Sequence, residues 1–272
     1  MSSALNSGGH PHVVAHDGDP DFGRIRVDPQ AACSARTIEL AGLPYRVTAA
    51  FVRPGRAPAA PNRRASDALW LWADLTDALV INRPSSMLAN GSKLVQTQRA
   101  ADAGFKTPPT IVTNDKDALR AFADQHGPLI YKSASGVRSI VRELDWSDAA
   151  QLERLRTCVT LFQQRISGTD IRVHVCASRT VATRIESSAV DYRYAARDGL
   201  PVSLRRTEIP QWIDQACHAL AAHDGLVLAG IDLRVTPDGR WFCFEANPAP
   251  AFTFYDVDGS IAAAVAQTLA GF

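Results

Sequence analysis

Residues 228–249 have the sequence L-A-G-I-D-L-R-V-T-P-D-G-R-W-F-C-F-E-A-N-P-A. This stretch contains most of two apolar runs, at residues 226–235 and 241–246, which are separated by a Thr-Pro-Asp-Gly segment. An Asp-Gly pair between two such runs is a strong signal for a β-hairpin. We therefore predict two antiparallel strands joined by a tight two-residue turn.

The predicted hairpin places Asp232, Glu245 and Asn247 on one face. If the Asp-Gly pair is central to the turn, Asp232 lies opposite Glu245, and a turn one residue earlier would place it opposite Cys243. Side chains alternate along a strand and cross-strand partners share a face. Both turns therefore leave the three polar side chains on the same side of the ribbon.

This polar face has the composition of a magnesium site. Two carboxylates and an amide oxygen are hard-oxygen ligands, and two facing carboxylates repel each other unless a cation or a proton lies between them. The alternative is an ordinary surface hairpin with its polar face in water. Against it, Phe242 and Phe244 are predicted on the opposite face, and Pro248 ends the second strand just beyond Asn247.

Composition and charge argue against several classes of protein. Of the 272 residues, 46% are hydrophobic and 21% are charged, and the net charge is only +1. Such a chain has no overall field that would recruit nucleic acid or an anionic membrane, and it shows neither a long apolar run nor an N-terminal signal sequence. We expect no nucleic-acid partner and no membrane partner. The scattered cysteines indicate reduced thiols and a cytoplasmic location.

The first 84 residues have weak secondary-structure signals. Residues 1–12 are rich in Ser, Gly and His and predict a flexible tail, and residues 13–84 predict a small N-terminal α/β domain. Within this domain we expect short strands at 25–27 and 45–47, helices at 31–41 and 68–79, and a buried strand at 78–84. The proline- and arginine-rich stretch 53–64 predicts a linker or an exposed loop.

Two lysines further along the chain have positions that suit a phosphate ligand. Ser92 is a good helix N-cap and Gly104 a good helix end, so Lys93 falls in a first turn, where its charge opposes the helix dipole unless an anion is bound there. Lys132 ends an apolar strand beside the small-residue loop 133–139, which suits a flap that covers phosphates. The alternatives are a solvated lysine and an ordinary loop between two strands.

The next segments predict a strand at 160–166, a Ser-Gly break, and a strand at 169–175 on which Asp170, Arg172 and His174 share a face. We interpret His174 as a plain strand residue. A further strand at 179–186 is followed by an Asp-Tyr-Arg motif that ends at Arg193. Helices are expected at 115–126, 147–156 and 210–225, and the last of these has apolar residues at the spacing of a core helix.

The order of these motifs resembles that of the ATP-grasp superfamily. Along the chain they are the two lysines, the 160–166 strand, Asp-x-Arg, Asp-Tyr-Arg and Asp…Glu-x-Asn. The resemblance is specifically to its peptide-modifying branch, which is similar to the ribosomal-protein glutamate ligases (RimK-like). It covers residues 82 to 255, about two thirds of the chain. It implies an α/β fold with α+β lobes, in which the nucleotide is held between a central lobe at about 85–160 and a C-terminal lobe at about 161–272. The short N-terminal α/β domain would precede both.

The resemblance also implies a role for each motif residue. Two magnesium ions, for which manganese can substitute, would bind at Asp232, Glu245 and Asn247. Arg193, Lys132 and Arg172 would be the catalytic group, with Arg193 supporting the γ-phosphate and Arg172 acting as an anion clamp. ATP would be held by a set that spans both lobes: Lys93, Lys132, Gln163, Gln164, Ile166, Asp170 and Arg193. The sequence departs from the family at Gln164, where a glutamate is common, and in loop 133–139, which has a single glycine.

The implied reaction is ATP-dependent phosphorylation of a carboxylate, followed by attack of an amine on the acyl-phosphate to form an amide. The substrate could be a small molecule, an amino acid or a peptide, and the family is compatible with a homodimer. Two alternatives remain at this point, an ATP-grasp kinase that phosphorylates a hydroxyl and a nucleotide-binding module without catalysis. The chain contains neither a Walker A loop nor a protein-kinase signature.

Overall fold

The structure is a computed structural model that describes residues 1–15, 24–53, 63–133, 141–189 and 192–271. Most of the predicted flap 133–139, the first residue of the Asp-Tyr-Arg motif and much of the predicted linker 53–64 lie outside the described residues. Across the described ranges, the strands form four sheets. The α/β fold class expected from the sequence is confirmed.

The N-terminal segment contains two small sheets packed on two helices. A three-stranded antiparallel sheet has the order β1-β2-β3, and β4 pairs with β5 in parallel. The buried Trp72 indole donates a hydrogen bond to the Thr37 carbonyl oxygen at 3.0 Å, which ties the second of these helices to the first sheet. The elements are β1 (Ile25–Arg26), α2 (Pro29–Ala35), β2 (Thr37–Leu40), β3 (Leu43–Arg46), β4 (Ala49–Phe51), α3 (Arg63–Leu75) and β5 (Leu79–Ile81).

Two predictions for this segment are wrong. The helix expected at 31–41 starts earlier, because Asp28 caps it, and ends at Ala35, because Arg36 adopts a left-handed conformation with φ of 56° before β2 begins. The tail expected at 1–12 contains helix α1 (Ser2–Ser7), in which Leu5 is buried. Helix α1 packs against the C-terminal helix of the chain, a long-range contact that local composition does not reveal.

The central lobe is a four-stranded antiparallel sheet in the order β6-β9-β7-β8. Two helices pack on it through a core that includes Leu119, Leu129 and Phe162. Strand β9 belongs to this sheet, so the chain passes to the next sheet after Gln164 rather than near residue 160. The elements are β6 (Thr110–Thr113), α5 (Lys116–His126), β7 (Leu129–Ser133), β8 (Arg142–Glu143), α6 (Ala149–Thr157) and β9 (Thr160–Gln164).

The C-terminal lobe is a five-stranded antiparallel sheet in the order β12-β11-β10-β13-β14. Helices α4 and α7 pack on one face of it and α8 on the other, and among the described residues no helix is long and apolar enough to cross a membrane. The elements are α4 (Lys93–Asp102), β10 (Thr169–Cys176), β11 (Arg179–Ser187), β12 (Val202–Thr207), α7 (Gln211–His223), β13 (Leu228–Val235), β14 (Trp241–Asn247) and α8 (Ser260–Ala270).

The hairpin β13–β14 has the predicted pairing of Asp232 with Glu245, but by a different route. The connection is not a two-residue turn, because Thr236 N donates to Arg240 O and Gly239 occupies the left-handed region with φ of 82°. If the register of the pairs near the turn continued unchanged, Asp232 would lie opposite Phe244. A β-bulge leaves Phe244 unpaired and restores the Asp232–Glu245 pair.

Candidate active site

A cleft of about 270 Å³ lies between the central and C-terminal sheets. Its walls come from both sheets, so the residues that line it are far apart in sequence. Seven of the predicted site residues line the cleft: Lys132, Gln163, Ile166, Asp170, Arg193, Asp232 and Glu245. The remaining four, Lys93, Gln164, Arg172 and Asn247, lie beside or behind it.

Each carboxylate of the hairpin has an arginine beside it. Arg172 Nη1 lies 2.6 Å from Asp232 Oδ1, and Arg193 Nη1 lies 3.6 Å from Glu245 Oε1. Although burial alone would raise the pKa of Asp232, Arg172 and Arg193 hold it below its ordinary value. Burial and the charge of Asp232 raise the pKa of Glu245. The negative charge of Glu245 is therefore not fully neutralised by the cationic groups of the protein, and a bound cation would neutralise it.

This imbalance predicts that Glu245→Gln stabilises the nucleotide-free protein at neutral pH. Because the folded-state pKa of Glu245 is raised, its contribution to the free energy of unfolding is present at low pH and is lost as the pH rises through the raised pKa. Glutamine has no charge to bury, so the variant avoids that loss. Thermal unfolding from about pH 4 to about pH 8 should show a higher midpoint for the variant at neutral pH and convergence with the wild type under acidic conditions. A variant that is equally destabilised at every pH would contradict this account.

The two predicted lysines meet at one end of the cleft. Ser92 caps α4 through its hydroxyl, which places Lys93 at the helix start, and Lys93 Nζ donates to the Ser133 carbonyl oxygen at 2.9 Å. Burial lowers the pKa of both Lys93 and Lys132, and Glu245 opposes that effect at both. Two ammonium groups from different elements thus act on the same carboxylate. Lys93 is directed toward the site rather than only toward solvent.

The end of β9, where the chain passes from the central sheet to the C-terminal sheet, offers a hydrogen-bond acceptor to the cleft. The Gln163 amide nitrogen donates to Thr110 Oγ1 at 2.9 Å, but among the described residues its buried Oε1 has no hydrogen-bond partner. An acceptor without a partner at the wall of a cleft suits a ligand that brings an N–H donor. Ile166 lines the same region and supplies an apolar surface.

Gln164 is placed differently from the prediction. Its side chain donates to the His126 carbonyl oxygen at 2.9 Å, at the end of α5, and it does not line the cleft. Successive residues of β9 point to opposite faces of the sheet, so only one of the two glutamines can reach the cleft with its side chain. Gln163, and not Gln164, therefore presents a side-chain oxygen to the cleft.

Asp170 is held by an arginine that the sequence analysis missed. Arg234 binds it with two nitrogens, Nε at 2.7 Å and Nη2 at 2.9 Å, and donates from Nη1 to the Ile166 carbonyl oxygen at 2.7 Å. The fork of Arg234 thus ties the start of β10 to Ile166, in the segment that joins β9 to β10. The available signal was its position, two residues after Asp232 on the same strand and directly opposite Asp170.

Arg172 lies behind Asp232 rather than in the cleft. It is almost fully buried, it pairs with Asp232 across the sheet, and its Cζ lies 5.1 Å from the centre of the Tyr255 ring. We predicted a catalytic anion clamp, but the structure places Arg172 where it orients Asp232. At this depth Arg172 does not line the space available to a ligand.

Gly230 leaves the space that Arg172 occupies. A Cβ atom at this position would overlap the Arg172 guanidinium and lie 2.6 Å from Pro250 Cβ. We expect Gly230→Ala to displace Arg172 and to lower the free energy of unfolding by about 1–3 kcal/mol, as overpacking does. Gly91→Ala is the matched control, because a Cβ there would have no described atom within 4 Å. Chemical denaturation of both variants tests this, and equal stability would contradict it.

Two tyrosines lie near Asp232, and one of them, Tyr192, lines the cleft. The Tyr192 and Tyr255 hydroxyls lie 3.0 Å apart, and burial raises the pKa of both, so they remain protonated donors. Beneath Tyr255, His174 is buried and among the described residues neither of its ring nitrogens has a hydrogen-bond partner. Burial lowers its pKa to about 3, so it is neutral. Tyr192 is the second residue of the Asp-Tyr-Arg motif and was not singled out from the sequence.

Asn247 lies on the same face of β14 as Glu245, outside the lining of the cleft. Its side-chain oxygen accepts a hydrogen bond from Ala249 N at 2.9 Å. The described residues contain no group of three or more His, Cys, Asp and Glu side chains that could hold a metal. The predicted set has two carboxylates and one amide oxygen, and magnesium ordinarily completes such a set with water and phosphate oxygens.

Comparisons with known proteins begin with sequence. No family model matches the chain. The D-alanine--D-alanine ligase A of Chromobacterium violaceum is 30% identical over 178 residues, which cover 56% of this chain and 48% of that protein. The chain thus spans about half the length of the curated relative that it matches.

Solved structures match over nearly the whole chain. The ATP-grasp ligase PsnB complexed with its minimal precursor has a TM-score of 0.82 at 24% identity, covering 99% of this chain and 93% of that chain. PsnB complexed with a phosphomimetic variant of the precursor, Mg and ADP has a TM-score of 0.79 at 25% identity, with coverages of 99% and 92%. The macrocyclase MdnC from Microcystis aeruginosa MRC, bound with precursor peptide MdnA, has a TM-score of 0.76 at 20% identity, with coverages of 99% and 94%. The resemblance inferred from the sequence motifs is confirmed: over nearly its whole length the chain is similar to ATP-grasp ligases and has their fold.

Proposed function

We propose that the protein is an ATP-dependent carboxylate–amine ligase that acts on a peptide. One observation carries this proposal. Four cationic side chains and two carboxylates, contributed by six separate parts of the chain, are clustered at one end of a cleft between two lobes, four of them in its lining and two beside or behind it. They are Lys93, Lys132, Arg172, Arg193, Asp232 and Glu245. Phosphoryl transfer needs little beyond positioning and charge neutralisation, and this arrangement provides both.

The donor set fits magnesium. Asp232 and Glu245 face each other, and the raised pKa of Glu245 indicates negative charge that the protein leaves incompletely compensated. Asp232, Glu245 and Asn247 would hold the metal, with an amide oxygen as the third ligand. When bound, magnesium neutralises phosphate charge and polarises the transferred phosphoryl group.

The chain's own residues would bind ATP in two parts. Ile166 would pack against the base, and Gln163 Oε1 would accept a hydrogen bond from the adenine amino group. Lys93 and Lys132 would hold the phosphates, and Arg193 would bind the γ-phosphate and the acyl-phosphate made from it. A guanidinium suits this last position because its fork matches two phosphate oxygens. The lobes would exclude water, which otherwise hydrolyses an acyl-phosphate.

The acid and the amine are proposed to belong to a peptide. Support comes from PsnB and MdnC, whose solved complexes contain precursor peptides. We also propose a cytoplasmic location, because the protein would need ATP and the structure describes all five of its cysteines as free thiols. The amide-forming reaction is proposed over a kinase because the matched curated relative and the similar structures are ligases.

The experiment is a screen with hydroxylamine as the trap. Purified protein, Mg²⁺ and ATP are incubated with candidate peptides and small carboxylic acids, and both ADP and hydroxamate are measured. The expected result is ADP release with hydroxamate formation for a peptide acid. ATP consumption with a phosphorylated hydroxyl product and no hydroxamate would replace the ligase proposal with a kinase. The Glu245→Gln variant controls for a contaminating ATPase.

A further inference from the structure

Asn82 is a buried polar residue that bridges the N-terminal segment and the hairpin β13–β14. It directly follows β5 and is 2% exposed. Its Nδ2 donates to the Leu228 carbonyl oxygen at 2.6 Å and to the Pro248 carbonyl oxygen at 2.5 Å. Its Oδ1 accepts from Val227 N at 2.8 Å and from Leu228 N at 3.0 Å. Both donors and both lone pairs of the amide are therefore used.

The position of these partners indicates what Asn82 does to the hairpin. The last pair of the β13–β14 ladder joins Gly230 to Asn247, whereas β13 begins two residues earlier, at Leu228. On its other side, Leu228 still pairs with Cys176 of β10. The side chain of Asn82 thus takes the backbone N–H and C=O of Leu228, which a continued β14 would otherwise bind. The Asn82 side chain therefore makes the hydrogen bonds that a partner strand would make, just beyond the last pair of β13 and β14.

The same side chain also fixes where β14 leaves the sheet. Pro248 has no N–H to offer a ladder, and its carbonyl oxygen is held by Asn82. Asn247 precedes Pro248, and its side-chain oxygen accepts from Ala249 N in the same bend. One amide therefore sets the distance between the start of the strand that carries Asp232 and the end of the strand that carries Glu245 and Asn247.

We propose that Asn82 is a positioning residue for the metal-binding end of the hairpin, acting from the N-terminal segment through Leu228 and Pro248. This inference rests on the proposed function, because it assumes that Asp232, Glu245 and Asn247 hold the metal. The small N-terminal domain then contributes to the site although none of its described residues lines the cleft. A residue that orients metal ligands typically changes metal affinity by about tenfold or more when it is replaced.

Asn82→Asp is the sharpest variant. Aspartate matches asparagine in shape and keeps the acceptors for Val227 N and Leu228 N, but it places an oxygen against two carbonyl oxygens. Arg83→Ala is the matched control, because among the described residues the Arg83 side chain donates only to backbone carbonyls within residues 73–78, at 2.7 to 3.3 Å, and none of these lies in the hairpin. It removes as many hydrogen bonds from the adjacent residue without touching β13 or β14.

The readout is Mn²⁺ binding by the full chain with a non-hydrolysable ATP analogue, followed by electron paramagnetic resonance, together with thermal unfolding. We expect Asn82→Asp to raise the Mn²⁺ dissociation constant at least about tenfold, and Arg83→Ala to lower the unfolding midpoint with unchanged Mn²⁺ affinity. Wild-type affinity in Asn82→Asp, or an equal loss in Arg83→Ala, would overturn the proposal.

Two other outcomes are also decisive. If the wild-type protein binds no Mn²⁺ with the nucleotide, the metal site itself is wrong and the proposed function fails with it. If Asn82→Asp does not fold, Asn82→Ser, which retains one donor, is measured in its place and is expected to show the same tenfold weakening. If neither variant folds under conditions where Arg83→Ala does, Asn82 serves the fold alone and the proposal is overturned.

Discussion

Glu245→Gln is expected to abolish ATP-dependent turnover. Glutamine preserves the shape of the side chain but removes the charge that faces Asp232 and lies 3.6 Å from Arg193. Without that charge the magnesium ligand set is incomplete, and a fall in kcat of about a thousandfold, or ~4 kcal/mol, is expected. Steady-state ADP release at saturating Mg²⁺ and ATP measures it. The same variant is expected to be more stable than the wild type without nucleotide, so loss of folding does not explain the lost activity.

Glu39→Gln is the control for this prediction. Glu39 is also a strand carboxylate beside an arginine, with Arg26 Nη1 at 3.8 Å, but it lies at the surface of the N-terminal sheet. Its replacement should leave turnover unchanged. If Glu245→Gln retained more than about a tenth of wild-type turnover, the assignment of Glu245 to the metal would be wrong.

Arg193→Ala is expected to lower kcat by about a hundredfold to a thousandfold with little change in the KM for ATP. The reason is that a donor aimed at charge that develops during the reaction contributes mainly to the transition state. Arg193→Lys should recover only part of the loss, because an ammonium cannot bind two phosphate oxygens in one plane. Initial rates over a range of ATP concentrations separate the two parameters.

Arg205→Ala is the corresponding control. Arg205 Nη2 lies 2.6 Å from Glu186 Oε2 in an exposed ion pair on β12 and β11, away from the lining of the cleft. Exposed pairs contribute little, so neither kcat nor stability should change by much. An Arg193→Ala variant within twofold of the wild-type kcat would remove Arg193 from the proposed mechanism.

The order of the motifs along the chain predicted more residues of the candidate site than the hydrophobic pattern of any single segment did. Lys132, Arg193, Asp232 and Glu245 are spread over more than a hundred residues, yet all four line one cleft. The alternation on β10 also placed its polar and apolar residues on the correct faces, with Ile171, Val173 and Val175 in the core beneath α7. Their roles toward ATP and magnesium remain predictions.

The hairpin shows what alternation cannot predict. The face of the ribbon on which a residue of the second strand lies depends on the length of the turn and on every irregularity between the turn and that residue. The three-residue connection shifts the pairing of the two strands by one residue, and the bulge at Phe244 shifts it back. The predicted pairing of Asp232 with Glu245 is therefore correct, although the predicted two-residue turn is not. Phe244 itself lines the cleft, with Arg234 Cζ 5.3 Å from its ring centre, rather than packing on the opposite face.

The remaining differences come from tertiary contacts. Helix α1, in which Leu5 is buried, was missed because it packs against α8, at the other end of the chain. Gln163 and Gln164 are adjacent and chemically identical, so only the orientation of β9 decides which one reaches the cleft. Arg234 and Asn82 act through partners more than sixty residues away.

The most direct test of the central claim follows one oxygen atom. A peptide identified in the hydroxamate screen is prepared with ¹⁸O in its carboxylate and converted to product with Mg²⁺ and ATP. If the carboxylate is phosphorylated before the amine attacks, one labelled oxygen per turnover must leave in inorganic phosphate, with ADP as the other product, and mass spectrometry of the phosphate detects it. Product formation with unlabelled phosphate, or with label in AMP, would contradict the acyl-phosphate mechanism.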